Sequence, residues 1–322
     1  MSTLPVVEEL RGARRVRDWL GDRILFGLTL AAALAGVAAM IAIAYKVIQG
    51  ARPAISDLGL SFVWGTTWDV GRNVFGAGPL IYGTAASSAI ALVLATPLAI
   101  AIGLYLSELA PRGVRGVVGA LVEMLAAIPS VVLGLWGILV LAPFVSRHVE
   151  PWLHSSLGFL GIFGDPQATG SSLFTAGLIL AIMVVPIVAS ISRELFLSVP
   201  RELEEGALAL GATRWEMVRG VVLSSSRPGL AAAVILGLGR ALGEAIAVTQ
   251  VIGSGFAINQ NLFLSGDTLA GRIAAQFQGA VTKLQISSLF YLAAILLVIG
   301  LVTNLIAQWI VRRFEFQRVG AD

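Results

Sequence analysis

Long uncharged stretches dominate the pattern of hydrophobic and polar positions along this chain. A helix that crosses a membrane needs about 20 apolar residues, because hydrocarbon offers no partner to an open backbone group. Six stretches meet this requirement, and the fifth is interrupted by Arg240 and Glu244. The pattern predicts an all-α, polytopic membrane protein with six transmembrane helices at residues 24–44, within 73–107 from about Pro79, at 124–146, within 166–192 from about Ser172, at 228–251 and at 284–311.

The composition supports a membrane protein. Only 13% of the 322 residues are charged, whereas a soluble domain carries about 25%. The absence of cysteine excludes disulfides and thiolate metal sites. His148 and His154 are expected to lie in a solvated polar loop, so we predict neither a metal site nor a cofactor. Pro97, Pro129 and Pro186 fall inside predicted spans and, with 36 glycines, indicate kinked and closely packed helices.

The lysines and arginines lie mostly on one side of the predicted topology. Segments on the side of both termini hold 15 of them and the opposite loops hold 5. Basic residues are enriched in cytoplasmic loops, so both termini are expected in the cytoplasm. The predicted organisation is a cytoplasmic N-terminal segment at 1–23, a six-span permease domain at 24–311 and a cytoplasmic tail at 312–322.

The longest cytoplasmic loop, residues 193–228, is predicted to form two short helices. Pro200 suits a first helical position, and Gly211 can end the helix that follows. Thr213 and Glu216 match a capping box that opens the next helix. The loop is therefore expected to be an ordered element rather than a flexible linker.

A family resemblance lies within this loop. Glu205-Gly206-Ala207, three residues and then Gly211 resemble the EAA-x3-G signature of ABC importer permeases. The resemblance implies that this element docks on a cytoplasmic ATPase. Gly206 replaces the usual alanine, and the usual downstream Leu-Pro is Leu223-Ser224 with the proline at Pro228, which affects the expected entry into the fifth span.

ATP hydrolysis is assigned to a separate subunit. A Walker A motif needs Gly-Lys-Ser/Thr to hold phosphates, but the two lysines, Lys46 and Lys283, follow tyrosine and threonine. We therefore predict a permease subunit without an ATPase site of its own, and not an enzyme.

Arg240 and Glu244 place opposite charges inside the fifth predicted span. A charge at the centre of a membrane helix is unfavourable by about 2.5–3.5 kcal/mol, so such residues usually face a bundle interior or an aqueous path. Their spacing puts both on one helix face, and Gly239 and Gly243 are expected to let a neighbouring helix approach closely. Two interpretations stay open: a structural salt bridge, or an anion contact at Arg240 whose charge Glu244 balances. We favour the second.

Three longer stretches narrow the resemblance. Residues 237–248, 128–137 and 75–84 are similar to the PstC-type permeases of phosphate ABC importers, whose span-five arginine and glutamate correspond to Arg240 and Glu244. The resemblance implies a MetI-like fold in the cytoplasmic membrane and inorganic phosphate as substrate. It also implies a heterodimer with the sister permease PstA, a PstB-type ATPase dimer and the extracytoplasmic phosphate-binding protein PstS.

Other functions remain as alternatives. The core Arg-x2-Gly-Glu also occurs in sulfate and molybdate permeases, so the short motif indicates an oxyanion rather than phosphate. An ion-coupled secondary transporter could use the same charges, but it would have no use for the segment Glu205–Gly211. A membrane enzyme has no support, because no Ser/His/Asp or paired-carboxylate arrangement lies at a span end.

Overall fold

The computed structural model of the chain describes the backbone of residues 4–319 and the side chains of residues 21–111 and 113–311. The predicted terminal segments thus lie partly outside the described residues. Over the described range the fold is helical, and its β-structure is the isolated bridge between Asp69 and Val74. The helices α1 to α14 are Leu4–Leu58, Ser61–Trp64, Gly78–Leu104, Arg112–Ala126, Ser130–Trp136, Ala142–Phe144, Glu150–Leu157, Leu173–Leu197, Arg201–Ala209, Arg214–Met217, Leu223–Gly243, Ile246–Val251, Leu269–Gln276 and Lys283–Val319.

Six helical stretches in the described residues are long and apolar enough to cross a membrane, which confirms the predicted number. The second span ends in a π-helical turn at Tyr105–Leu109. In the third and fifth spans, π-helical turns at Gly137–Leu141, Val145–Val149 and Val218–Val222 join consecutive helices, and a 3-10 turn at Gly158–Leu160 ends the third span. The first to sixth spans are Gly21–Leu58, Gly78–Leu109, Ser130–Leu160, Leu173–Leu197, Arg214–Gly243 and Lys283–Val311.

The first span is longer than predicted. Its helix continues past residue 44 and Lys46, with Pro53 inside it, and ends at Leu58. The chain divides into one unit at residues 1–50 and another at 51–322. In the first unit, large apolar side chains such as Phe26 and Met40 are exposed, and such a surface suits contact with lipid.

The third span begins later than the predicted residue 124. The backbone is extended at Pro129 (φ −60°, ψ 139°), and helix α5 starts at Ser130. Proline has no N–H and disfavours the helical conformation of the residue before it, so the two helices are separate. The prediction that Pro129 lies inside a span is wrong, whereas Pro97 and Pro186 do lie inside helices α3 and α8.

The region of His148 and His154 is helical rather than a loop. The third span includes both residues and runs for 31 residues to Leu160, which is about 46 Å against a hydrocarbon thickness of about 30 Å. One end of this helix therefore extends beyond the hydrocarbon. Among the described residues, no group of three or more His, Asp or Glu side chains could hold a metal ion.

The second, fourth and fifth spans form the main core. Ala91, Ala95 and Ala99 of α3 and the apolar residues of α8 are buried together. A Cβ added at Gly177 would lie 2.5 Å from Ile90, and one at Gly103 would lie 2.9 Å from Ser192. Small residues thus let α3 and α8 approach closely, as is common between membrane helices.

The loop between the fifth and sixth spans is tied to the start of the second span. Thr84 Oγ1 accepts a hydrogen bond from the N–H of Leu269 at 2.9 Å. Arg272 Nε lies 2.7 Å from Asp267 Oδ2, and the guanidinium lies 5.7 Å from the Trp68 ring centroid. Burial raises the pKa of Asp267, and this effect exceeds the opposing effect of Arg272. The buried pair and the aromatic ring hold this loop in one arrangement.

Gly83 is predicted to be essential to this packing. A Cβ there would lie 1.9 Å from the carbonyl oxygen of Asp267, so Gly83→Ala must displace the loop. Overpacking of this kind costs about 1–3 kcal/mol or more. We expect a lower thermal unfolding temperature of the purified complex, measured against Gly116→Ala, where the added methyl meets nothing within 4 Å. Equal unfolding temperatures for the two variants would contradict the close contact.

Candidate functional site

The helix of the fifth span ends at the candidate charge pair. It runs without a break from Arg214 to Gly243, so the entry at Leu223-Ser224 is continuous. Glu244 then has an extended backbone (φ −73°, ψ 122°), and the short helix α12 follows from Ile246. The predicted single helix over 228–251 is therefore wrong at both ends, and the charge pair lies at a helix break.

Glu244 is held in place from two sides. Its carboxylate is almost fully buried, and Oε1 accepts a hydrogen bond from the N–H of Ala247 at 3.2 Å, in the first turn of α12. Its other oxygen, Oε2, lies 3.4 Å from Nη2 of Arg240. Charge-assisted N–H···O bonds usually measure about 2.7–2.9 Å, so this ion pair is loose. The break in the helix allows both contacts, because it gives the carboxylate a free N–H beyond it.

Arg240 is much more accessible than its partner. Its side chain is 47% exposed, compared with 5% for Glu244. Arg240 lines a cavity of about 970 Å³ between the fourth, fifth and sixth spans, but Glu244 is not part of the lining. Since a guanidinium carries five N–H donors and the contact to Glu244 is loose, donors remain for an oxyanion in the cavity. A buried carboxylate thus positions a cation that faces open space.

The glycines beside the charges have a different role from the predicted one. An added Cβ at Gly239 or at Gly243 would meet nothing within 4 Å, and both residues line the cavity. The prediction that they let a helix approach closely is therefore wrong. That role belongs to Gly237, where a Cβ would lie 2.8 Å from Val184 and 2.9 Å from Val188 of the fourth span. Gly237 lies on the helix face that meets the fourth span, whereas Gly239 and Gly243 lie on the face that lines the cavity.

Three polar residues of the sixth span were not among the predicted site residues. Thr303, Asn304 and Gln308 line the same cavity as Arg240. The sequence signal that could have indicated them is the presence of uncharged polar residues inside the apolar stretch at 284–311. Their relation to Arg240 depends on how the two helices pack, which the sequence alone does not reveal.

The predicted cytoplasmic helix pair is present in a modified form. Helix α9 (Arg201–Ala209) follows Pro200, which precedes the first helical residue rather than occupying it. Gly211 has φ +89°, a left-handed conformation that favours glycine at a helix end. The predicted capping box is confirmed, since the N–H of Thr213 donates to Glu216 Oε2 at 2.8 Å and the N–H of Glu216 donates to Thr213 Oγ1 at 3.3 Å. The second helix, however, is the first turn of the fifth span.

Large apolar side chains at the helix end of this element are exposed among the residues that the structure describes. Leu210 is 92% exposed and Trp215 is 64% exposed. Glu205 and Gly206 are exposed, whereas Ala207 packs on the small core that supports the loop. Exposed apolar groups of this size are typical of a protein contact surface.

Glu204 of helix α9 is partly buried and lies in an acidic environment. Burial raises the pKa of Glu204, and Glu108 at the end of the second span raises it further, while Arg201 opposes the shift. A negative charge at the end of the second span thus acts on helix α9.

Sequence comparison places the charge pair and the loop at 193–228 within one known protein family. Residues 95–316 match the family described as "Binding-protein-dependent transport system inner membrane component". The "Phosphate transport system permease protein PstC" of Mesorhizobium japonicum is 41% identical over 99% of this chain and 98% of its own. The protein of the same name from Xylella fastidiosa is 38% identical over 97% of both chains. "Phosphate transport system permease protein PstC 1" of Mycobacterium tuberculosis is 38% identical over 82% of this chain and 85% of its own.

Structural comparison agrees on the fold. A chain of a bacterial ABC transporter involved in the import of the acidic polysaccharide alginate superposes with a TM-score of 0.58 at 20% identity, covering 92% of this chain and 99% of that one. A chain of the MetNI methionine ABC transporter, in an inward-facing conformation, gives 0.51 at 21% identity, covering 74% and 94%. At this identity the likeness shows the fold alone, and it confirms the MetI-like architecture. The chain belongs to the family of inner membrane components of binding-protein-dependent transport systems, and within it to the PstC-type permeases.

Proposed function

We propose that this chain is the subunit of an ABC importer that moves inorganic phosphate across the cytoplasmic membrane, with ATP hydrolysed by another subunit. The observation that carries the proposal is the full-length similarity to relatives named for phosphate transport. The position of Arg240 supports it, because an arginine facing a cavity inside a membrane protein suits a tetrahedral oxyanion.

At Arg240 the mechanism depends on competition between two anions. When the cavity holds no substrate, Glu244 balances the charge of Arg240 at 3.4 Å. A phosphate that reaches the cavity binds the free N–H donors of the guanidinium. Because Glu244 stays anchored on the N–H of Ala247, it can reclaim Arg240 when phosphate leaves. A carboxylate that competes in this way prevents Arg240 from trapping its substrate.

The cytoplasmic element is proposed to bind the ATPase. Glu205, Gly206, Ala207 and Gly211 form the docking element, and the exposed Leu210 beside them supplies apolar contact area. Closure of the ATPase dimer would move helix α9 and, through the continuous helix from Arg214 to Gly243, the region of Arg240. This continuity offers a direct mechanical link between ATP hydrolysis and the charge pair.

The partners and the orientation follow from the same proposal. The chain pairs with a PstA-type sister permease, binds a PstB-type ATPase dimer in the cytoplasm and receives phosphate from a PstS-type extracytoplasmic binding protein. Both termini are in the cytoplasm, since 15 lysines and arginines lie on their side and 5 lie opposite. In the permease domain, the docking loop at 193–228 is then cytoplasmic.

Cysteine labelling tests this orientation, because the natural chain has no cysteine. In whole cells with a permeable outer layer, Ala168→Cys in the loop before the fourth span should react with a membrane-impermeant maleimide. Ser198→Cys, after the fourth span, should react only once the membrane is opened. Both positions are exposed in the chain. The opposite pattern would overturn the orientation.

Substrate competition tests the proposed cargo. In cells lacking other phosphate importers, the complex should take up labelled phosphate, and a tenfold excess of sulfate or molybdate should leave the rate unchanged. Uptake of labelled sulfate or molybdate in place of phosphate would replace the proposal with the other oxyanion permeases. The test uses the complete complex with its binding protein.

A further inference from the structure

The polar side chains Thr303, Asn304 and Gln308 form a polar stripe on one side of the sixth span. With Gly300, Ala307 and Val311 they recur three or four residues apart and line the cavity, as expected for a single helix face. The remaining surface of the span carries large exposed apolar side chains, such as Leu305 and Ile306. The polar stripe is therefore confined to the face that also meets Arg240.

The polar stripe lacks hydrogen-bond partners inside this chain. None of its three side chains makes a hydrogen bond to another residue in the part of the chain that the structure describes. By contrast, Gln285 at the start of the same helix accepts one from the N–H of Val281 at 3.1 Å. Hydroxyl groups inside other spans also bond to helix carbonyls, as Thr84 does to Leu80 at 2.7 Å. An unpaired carboxamide is unfavourable in hydrocarbon, so Asn304 and Gln308 require water, a ligand or another helix.

The direction of the helices orders these groups along the cavity. The fifth span runs toward its end at Gly243, close to Arg240, and the sixth span runs the opposite way across the membrane. In the proposed orientation, the sixth span runs toward the cytoplasm from Gly300 to Gln308, and both residues line the same cavity as Arg240. The polar stripe thus continues from the charged contact in the direction of import.

We propose that the polar stripe forms the release path of the transported anion from Arg240 to the cytoplasm. This inference rests on the proposed import function. Neutral hydroxyl and carboxamide groups donate hydrogen bonds to a partly hydrated oxyanion without binding it tightly. Passage requires several weak sites rather than one strong site. A second arginine here would retain the anion, whereas an apolar stripe would exclude it.

Charge-selective cysteine modification tests this path in the assembled complex, in membrane vesicles. For Asn304→Cys and for Gln308→Cys, we measure the rate with a negatively charged methanethiosulfonate divided by the rate with a positively charged one. This ratio should be about tenfold larger than for a free thiol in solution. The physical reason is that the guanidinium of Arg240 lines the cavity, whereas the carboxylate of Glu244 is buried outside it, so the potential in the cavity is positive. Adding Arg240→Gln to either variant should remove the preference. Ile306→Cys, which is exposed but does not line the cavity, should react with neither reagent.

The result separates this inference from its rivals. A ratio of the two rates equal to that of a free thiol, no reaction at 304 and 308, or a ratio unchanged by Arg240→Gln would each overturn the release path. If Asn304→Leu or Gln308→Leu instead prevents assembly with the sister permease, the polar stripe is an interface between subunits and the inference fails. Phosphate uptake by the unmodified complex is measured in parallel. Its absence would refute the proposed cargo, while the modification pattern would still report on the path.

Discussion

Replacement of Arg240 by glutamine should reduce phosphate uptake by about 100-fold or more while the complex still assembles. Glutamine keeps hydrogen-bonding capacity and much of the length but removes the charge. A 100-fold loss corresponds to about 2.7 kcal/mol, which is within the about 1.5–3 kcal/mol that one hydrogen bond to a charged group contributes, and a guanidinium offers several donors. Uptake of labelled phosphate at matched expression measures the effect, and co-purification with the ATPase is the control for assembly. Uptake within threefold of wild type would contradict a role for the guanidinium.

Glu244→Gln should have a different effect from Arg240→Gln. The amide can still accept from the N–H of Ala247, but it no longer balances Arg240. Phosphate then competes with nothing for the guanidinium, so we expect tighter retention, a lower maximal rate and a lower half-saturating concentration. A parallel fall of uptake and assembly would indicate that Glu244 acts only in folding.

Replacement of Gly211 by arginine should abolish transport by preventing attachment of the ATPase. At φ +89° a side chain is strained, and the added bulk lies at the end of the docking helix. Insertion into the membrane should be unaffected, because no neighbouring group lies within 4 Å of the new Cβ. The measurement is the amount of ATPase that co-purifies, together with phosphate uptake.

Two matched variants separate strain from bulk at this helix end. Gly211→Asn should retain most uptake, because asparagine tolerates the left-handed conformation. Gly220→Ala, outside the docking element and with nothing within 4 Å of the added methyl, should behave as wild type. Normal co-purification and normal uptake of Gly211→Arg would refute the assignment of this element to ATPase binding.

Features set by short-range chemistry could be predicted from the sequence. The capping box of Thr213 and Glu216 forms as expected, and so do the helix end at Gly211 and the helix start after Ser172. Each depends on hydrogen bonds or backbone angles within a few residues. The number of spans was predictable for a similar reason, because it follows from runs of apolar residues.

Features set by packing between helices could not be predicted. Four-residue spacing of Gly239 and Gly243 indicated close packing, but both face the cavity, and Gly237 makes the close contact with the fourth span. Which glycine meets a neighbour depends on the rotation of the helix, and spacing does not contain it. The same holds for Asn304 and Gln308, because their position in the cavity beside Arg240 depends on how the sixth span packs against the fifth.

Breaks inside apolar stretches were also missed. Pro129 separates two helices, whereas Pro97 and Pro186 are accommodated inside helices. The helix of the fifth span ends at Gly243 even though apolar residues continue to Val251. Hydropathy cannot distinguish a broken apolar stretch from a continuous helix, since both have the same composition. The second break gives Glu244 its backbone partner, the N–H of Ala247.

Phosphate uptake by the double variant Arg240→Gln with Glu244→Gln tests the central claim most directly. If the pair were only a structural bridge, Arg240→Gln would leave a buried carboxylate without its cation, and neutralising Glu244 as well would relieve that penalty. If Arg240 is the anion contact, the assembled double variant, at matched expression, should transport no more phosphate than Arg240→Gln alone. Recovery to near wild-type uptake would contradict the assignment of Arg240 as the anion contact.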